Sequence, residues 1–130
     1  HERHLTFQDR GLHLVADMGE WWFQETGLPL PLGGNVIRKD LGPELIATIS
    51  SHLHASIAYG LEHRASPLDH TMQYARGLHP RRADTFVGMY VNEWTLDYGE
   101  RGRSAVRLLL EEGHKAGVIP HAVTVEFVGG

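Results

Sequence analysis

Cysteine is absent from this chain. Disulfides and thiol chemistry are therefore excluded, and the composition suits a reducing compartment. No apolar run approaches the roughly 20 residues of a membrane-spanning helix. No charged-then-apolar leader is present, so nothing in the sequence indicates secretion. A surplus of basic residues is also missing. Twelve Lys and Arg stand against sixteen Asp and Glu, for a net charge of −4, which argues against a nucleic-acid partner. Repeats and low-complexity stretches are absent as well. What remains is an ordinary soluble composition, 42% hydrophobic over 130 residues, a length that usually makes one domain. The chain begins at His1 with no cap or turn signal to introduce it, and it reads as a piece cut from something longer.

Histidine is plentiful instead, with ten in the chain. The opening "HERH" is one residue short of the H-E-x-x-H spacing that puts two zinc ligands on one helical face. His52 and His54 are two apart in a helical stretch and so do not face the same way. The others are scattered singly, and no metal site is expected. Most are read as solvated or in ordinary polar contacts. Their titration carries the net charge upward below about pH 6.5.

Five helices are expected, a short one and then a block of four. The first is short, over 20–26, with Trp21 and Trp22 as core candidates and Gly27 ending it. The second runs over 43–63, because Leu45, Ile46, Ile49, Leu53, Ile57 and Leu61 recur at helical spacing behind Pro43. Ser66, Pro67 and Asp69 look like the start of a further helix reaching about 77. "RRADTFVGMYVNEWTL" reads as one helix over 81–96, and 99–117 as the last, with Val106, Leu109 and Leu110 inward and Gly117 and Pro120 stopping it. Three segments alternate apolar and polar residues in the manner of strands, at 11–19, 34–40 and 122–128. Sheet fragments at the two ends and helices between them suggest part of an α/β protein.

The stretch "TGLPLPLGG", 26–34, fits neither element. Pro29 and Pro31 remove two backbone donors and push the residues before them out of the helical region. Its leucines are too apolar for a solvated loop. A stiff crossing beside a ligand accounts for both features. Leu32 and Gly33 are the candidate lining residues, since apolar side chains wall a pocket and glycine lets backbone approach closely. Leu28 and Leu30 are read as core.

The same region carries a resemblance. His1-Glu2, Leu5-Thr6-Phe7, Gly11, then Asp17, Gly19, Trp21 and Trp22, then Thr26 through Gly33, form a long gap-free pattern. It resembles the 1,4-dihydroxy-6-naphthoate synthases of the futalosine route to menaquinone. Beyond residue 43 the likeness is mainly one of helical pattern, with "YVNEWTLDYGERG" its clearest echo. The resemblance spans the whole chain but only about the C-terminal half of a family member.

The resemblance implies a two-lobed α/β fold of the periplasmic-binding-protein type. Residues 1–33 would complete one lobe and include the crossing segment. Residues 34–130 would form a helical part packed on the other lobe, with the N-terminal half of the protein absent. It also implies a cytoplasmic lyase without metal or organic cofactor, and no membrane partner. That enzyme converts cyclic dehypoxanthinyl futalosine to 1,4-dihydroxy-6-naphthoate by carbon–carbon cleavage. His1 would be the proton acceptor, the substrate a small molecule, and the missing half a required partner. Two rivals share the implied fold: a chorismate dehydratase-like enzyme, and a non-enzymatic ligand-binding lobe. The Thr26–Gly33 run and the His1-Glu2 pair favour the first reading.

Overall fold

A computed structural model describes residues 7–64 and 80–129, without the side chains of 80–82 and 86. The chain is helical. Helix α1 spans Met18–Thr26, α2 Pro43–Glu62, α3 Pro80–Tyr90, α4 Glu93–Leu96 and α5 Gly99–Lys115. Short 3-10 turns at Gln8–Arg10 and Lys39–Leu41 interrupt the connecting segments.

The helix boundaries follow from local chemistry. Helix α1 starts two residues before the expected 20, because the Asp17 carboxylate accepts from the N–H groups of Gly19 and Glu20 at 2.8 and 3.0 Å. Two of the donors a helix start leaves unpaired are thereby satisfied. The Gly27 N–H, in the left-handed conformation at φ 69°, donates to the Phe23 carbonyl and ends the helix. Pro43 sits in the first turn of α2, where a missing N–H costs nothing. Helix α5 stops as the Val118 and Ile119 N–H groups both turn back to the Gly113 carbonyl.

The single helix expected over 81–96 is two helices. Asn92 breaks it. Its side-chain oxygen accepts from the Trp94 N–H at 3.0 Å, and Thr95 Oγ1 accepts from the Asn92 N–H at 3.2 Å. This reciprocal cap opens α4. The Asn92 amide also donates to the Gly88 carbonyl at 3.1 Å, closing α3. The helix expected over 66–77 lies outside the described residues.

The α/β expectation is corrected. Among the described residues there is no strand. Residues 12–17, 34–38 and 122–127 lack regular secondary structure, and 39–41 form a 3-10 turn. Alternating residues give a segment two unlike faces. A strand also needs a neighbour about 4.8 Å away to take its hydrogen bonds. None of the three segments has one. A helical architecture thus replaces the two-lobed sheet-containing one.

Burial is sparse. Among the described residues only Trp22, Ala83, Gly102 and Ala105 are buried. Of the two tryptophans read as core, Trp22 is 7% exposed and Trp21 49%. The inward stripe of α2 is only half covered, with Leu45, Ile49 and Leu53 all exposed. The chain presents 10062 Å² to solvent, against about 6,900 Å² from the area–mass scaling for a compact monomer of 14.6 kDa. The excess of about 3,000 Å² shows that the chain is far from covered by its own residues. No helix among the described residues is long and apolar enough to cross a membrane.

The isolated 130-residue chain is therefore expected to unfold broadly on heating. Its calorimetric enthalpy should fall well below the roughly 0.7 kcal/mol per residue of compact domains. Differential scanning calorimetry checks this, and a sharp two-state transition at normal specific enthalpy would contradict it.

Candidate functional site

Residues 29–35 form one wall of a groove of about 460 Å³. The opposite wall comes from the end of α3, from α4 and from the start of α5. The crossing segment is fixed at its origin. Thr26 Oγ1 donates to the Trp22 carbonyl at 2.7 Å and accepts from the Leu28 N–H at 3.1 Å. Arg101, from the first turn of α5, donates to the Gly27 carbonyl at 2.9 Å. The two walls are thereby tied together at one end.

Both predicted lining residues lie on this groove. Leu32 is 58% exposed, and a Cβ built on Gly33 meets nothing within 4 Å. Leu30, expected in the core, is half-buried and lines the groove as well, while Leu28 is half-buried and does not. Glycine is sterically needed one residue further on. A Cβ on Gly34 would stand 3.1 Å from the Tyr98 hydroxyl oxygen. The predicted proton acceptor, His1, lies outside the described residues.

Trp94, Tyr98 and Gly102 make the facing wall, and sequence reasoning missed all three. The spacing of four between Tyr98 and Gly102 was the available signal, because residues four apart share a helical face; Trp94 lies on α4, across the extended residue Asp97. Gly102 is buried beneath the other two. A Cβ there would lie 3.0 Å from Tyr98 Cβ and 3.3 Å from Trp94 Cε3. Glycine at 102 is what lets both rings lie down across the helix.

The chemistry of the groove is that of a binding surface. Its wall is apolar and aromatic, with hydroxyl and amide groups from Asn35, Asn92, Thr95 and Tyr98. Asn92 and Thr95 are engaged in the α4 cap. None of its lining residues is Asp, Glu, His, Lys or Arg. Flat apolar rings suit such a surface.

The shifted carboxylates sit on exposed surface instead. The Arg38 guanidinium holds the Asp40 carboxyl below its usual range, through hydrogen bonds that include one of 2.9 Å. Lys115 does the same to Glu111 from 2.8 Å. Glu111 borders a smaller hollow of about 310 Å³ with Arg107, His114 and residues 122–125. Among the described residues no cluster of three or more His, Asp or Glu is placed to hold a metal.

The sequence of residues 1–115 matches the menaquinone biosynthesis family, and the chain belongs to that family. Within it the chain is similar to the 1,4-dihydroxy-6-naphthoate synthase of Streptomyces coelicolor, at 38% identity over 92% of this chain and 43% of the relative. It is also similar to the enzyme of that name from Thermus thermophilus, at 40% identity over 91% of this chain and 43% of the relative. A crystal structure of an Archaeoglobus fulgidus protein superposes with a TM-score of 0.85 at 38% identity, covering 92% of this chain and 45% of that one. The chain thus spans less than half the length of the relatives it matches.

Gly102→Ala is expected to destabilise the protein by about 1–3 kcal/mol, the usual range for overpacking against fixed neighbours. Gly33→Ala should be nearly neutral, since its Cβ enters open space. Urea unfolding of the two variants in the full polypeptide checks the contrast, and equal losses would mean that the aromatic wall is not closely packed.

Proposed function

We propose that this chain supplies part of a 1,4-dihydroxy-6-naphthoate synthase, a carbon–carbon lyase of menaquinone biosynthesis. Its substrate is cyclic dehypoxanthinyl futalosine, and it works in the cytoplasm. Family membership and the names of both curated relatives support the pathway. The observation that carries the reading is the groove. The leucine–proline run that marks the resemblance lines an apolar, aromatic-walled space of about 460 Å³, a size suited to a bicyclic aromatic.

His1 takes a proton from a substrate hydroxyl. The freed oxygen pair becomes a carbonyl bond on the sugar-derived fragment, the adjacent carbon–carbon bond breaks, its electron pair stays on the bicyclic fragment, which takes up a proton, and the sugar-derived fragment leaves. Histidine suits this step because its unperturbed pKa lies near neutrality. Leu32 and Gly33 wall the ring system, and the groove's lack of Asp, Glu, His, Lys and Arg leaves the proton acceptor to be brought from the His1-Glu2 pair. The additional length of the family's longer members covers the exposed apolar stripe of α2 and is the partner this chain needs. The excess surface of about 3,000 Å² over the compact-monomer scaling supports that pairing.

Naphthoate formation by the full polypeptide tests the reading. His1→Asn should lower kcat by about 10²–10⁴, the general-base range, and wild-type kcat should decline on acidification as imidazole protonates. Gly33→Val should raise KM while leaving Tm unchanged. An Asn variant within about twofold of wild type would remove His1 from the mechanism, being far below the general-base effect. Unchanged KM in Gly33→Val would make the crossing merely structural.

A further inference from the structure

The segment after α5 runs back over the helices. Lys39 Nζ donates to Glu126 Oε1 at 2.6 Å, tying this segment to the 3-10 turn before α2. Gly129 stands beside Ser50 of α2. Arg103 donates to the Gly129 carbonyl at 3.4 Å. Between these ties lies Phe127. Its ring meets Tyr98 edge to face, with centroids 6.0 Å apart and planes at 90°. Arg103 and Arg107 lie over the same ring, at 5.7 and 5.1 Å from its centroid. Phe127 is therefore held by two cations, by an ion pair on one side and by a bond to the Gly129 carbonyl on the other, while the aromatic it touches is one wall of the groove.

Tyr98 is the consequential contact. It is half-buried, and its hydroxyl reaches across to Gly34 on the opposite wall. No hydrogen bond to that hydroxyl is formed among the described residues. A phenol donates and accepts, so this one is available to a ligand oxygen. Tyr98 lies just before α5 with no side-chain cap bond to fix it. Ring packing must set its direction: against Gly102 beneath it and against Phe127 at its side.

We propose that Tyr98 is a specificity-determining residue of the groove, hydrogen-bonding a hydroxyl or carboxylate on a flat aromatic ligand, and that Phe127 is its positioning residue. The inference rests on the groove being the aromatic-binding surface proposed above. It assigns a role to a segment that lines no part of the groove.

The test is binding of 1,4-dihydroxy-6-naphthoate to the full polypeptide, followed by calorimetry. Tyr98→Phe removes only the hydroxyl and should weaken binding about tenfold, the loss of one hydrogen bond to a ligand. Phe127→Leu should weaken it by a similar factor, Phe127→Tyr should restore it, and Tyr98→Phe with Phe127→Leu should be no weaker than the poorer single variant. The same variants tested with naphthalene, which has no oxygen, should bind alike. Phe127→Leu at wild-type affinity, while Gly33→Val binds poorly, would overturn the positioning role and leave the groove reading standing. Wild-type affinity in Gly33→Val and Tyr98→Phe together would overturn both. If Phe127→Leu loses its far-ultraviolet helical signal, Tyr98→Phe and Phe127→Tyr still decide the matter, since neither removes a ring.

Discussion

Arg101 donates to the Gly27 carbonyl across 74 positions of sequence, and the geometry of the groove depends on that bond. The proline–leucine segment has given up two of the donors with which it would join a sheet or helix. Its carbonyls remain, and Gly27 offers the first of them just beyond α1. With a guanidinium from α5 on that oxygen, the segment departs from α1 toward the aromatic wall and not into solvent. A hydrogen bond to a charged group contributes about 1.5–3 kcal/mol, at the lower end when exposed as here. What it provides is direction, because few other long-range polar contacts join α1 to the later helices.

The helices were legible where a chemical signal at their ends was taken as one. Gly27 and Pro43 act as stop and starter by mechanisms that need no tertiary structure, whereas Asp17, an equally local cap, lay inside a segment read as a strand. Asn92 has the same chemistry and was passed over, because the apolar residues around it continue the helical period of α3. Periodicity reports which face is apolar and is blind to an interruption that keeps the phase. The strand-like segments failed for the complementary reason. Val123, Val125 and Phe127 alternate as a strand would, yet alternation contains no information about a neighbour.

Of the groove, one wall was legible and the other was not. Leu32 and Gly33 stood out because prolines made their surroundings odd. Trp94, Tyr98 and Gly102 looked like routine helical residues. Their meaning lies in a small residue placed under two large ones, a relation seen only when the Cβ that is missing can be measured against its neighbours. Phe127 was hidden further still, since it acts from a segment that the sequence offered as a strand.

The prolines have one last consequence. Pro29 and Pro31 restrict the unfolded chain as much as the folded one, so the leucine wall loses little freedom when the protein folds. A wall already stiff also loses little when something settles against it, and binding costs shrink with every torsion fixed beforehand. The aromatic side reaches its stiffness by packing instead, with Trp94 and Tyr98 laid against Gly102 and Tyr98 against Phe127. Both walls of the groove are thus set before anything enters it, one by its covalent rings and the other by its neighbours.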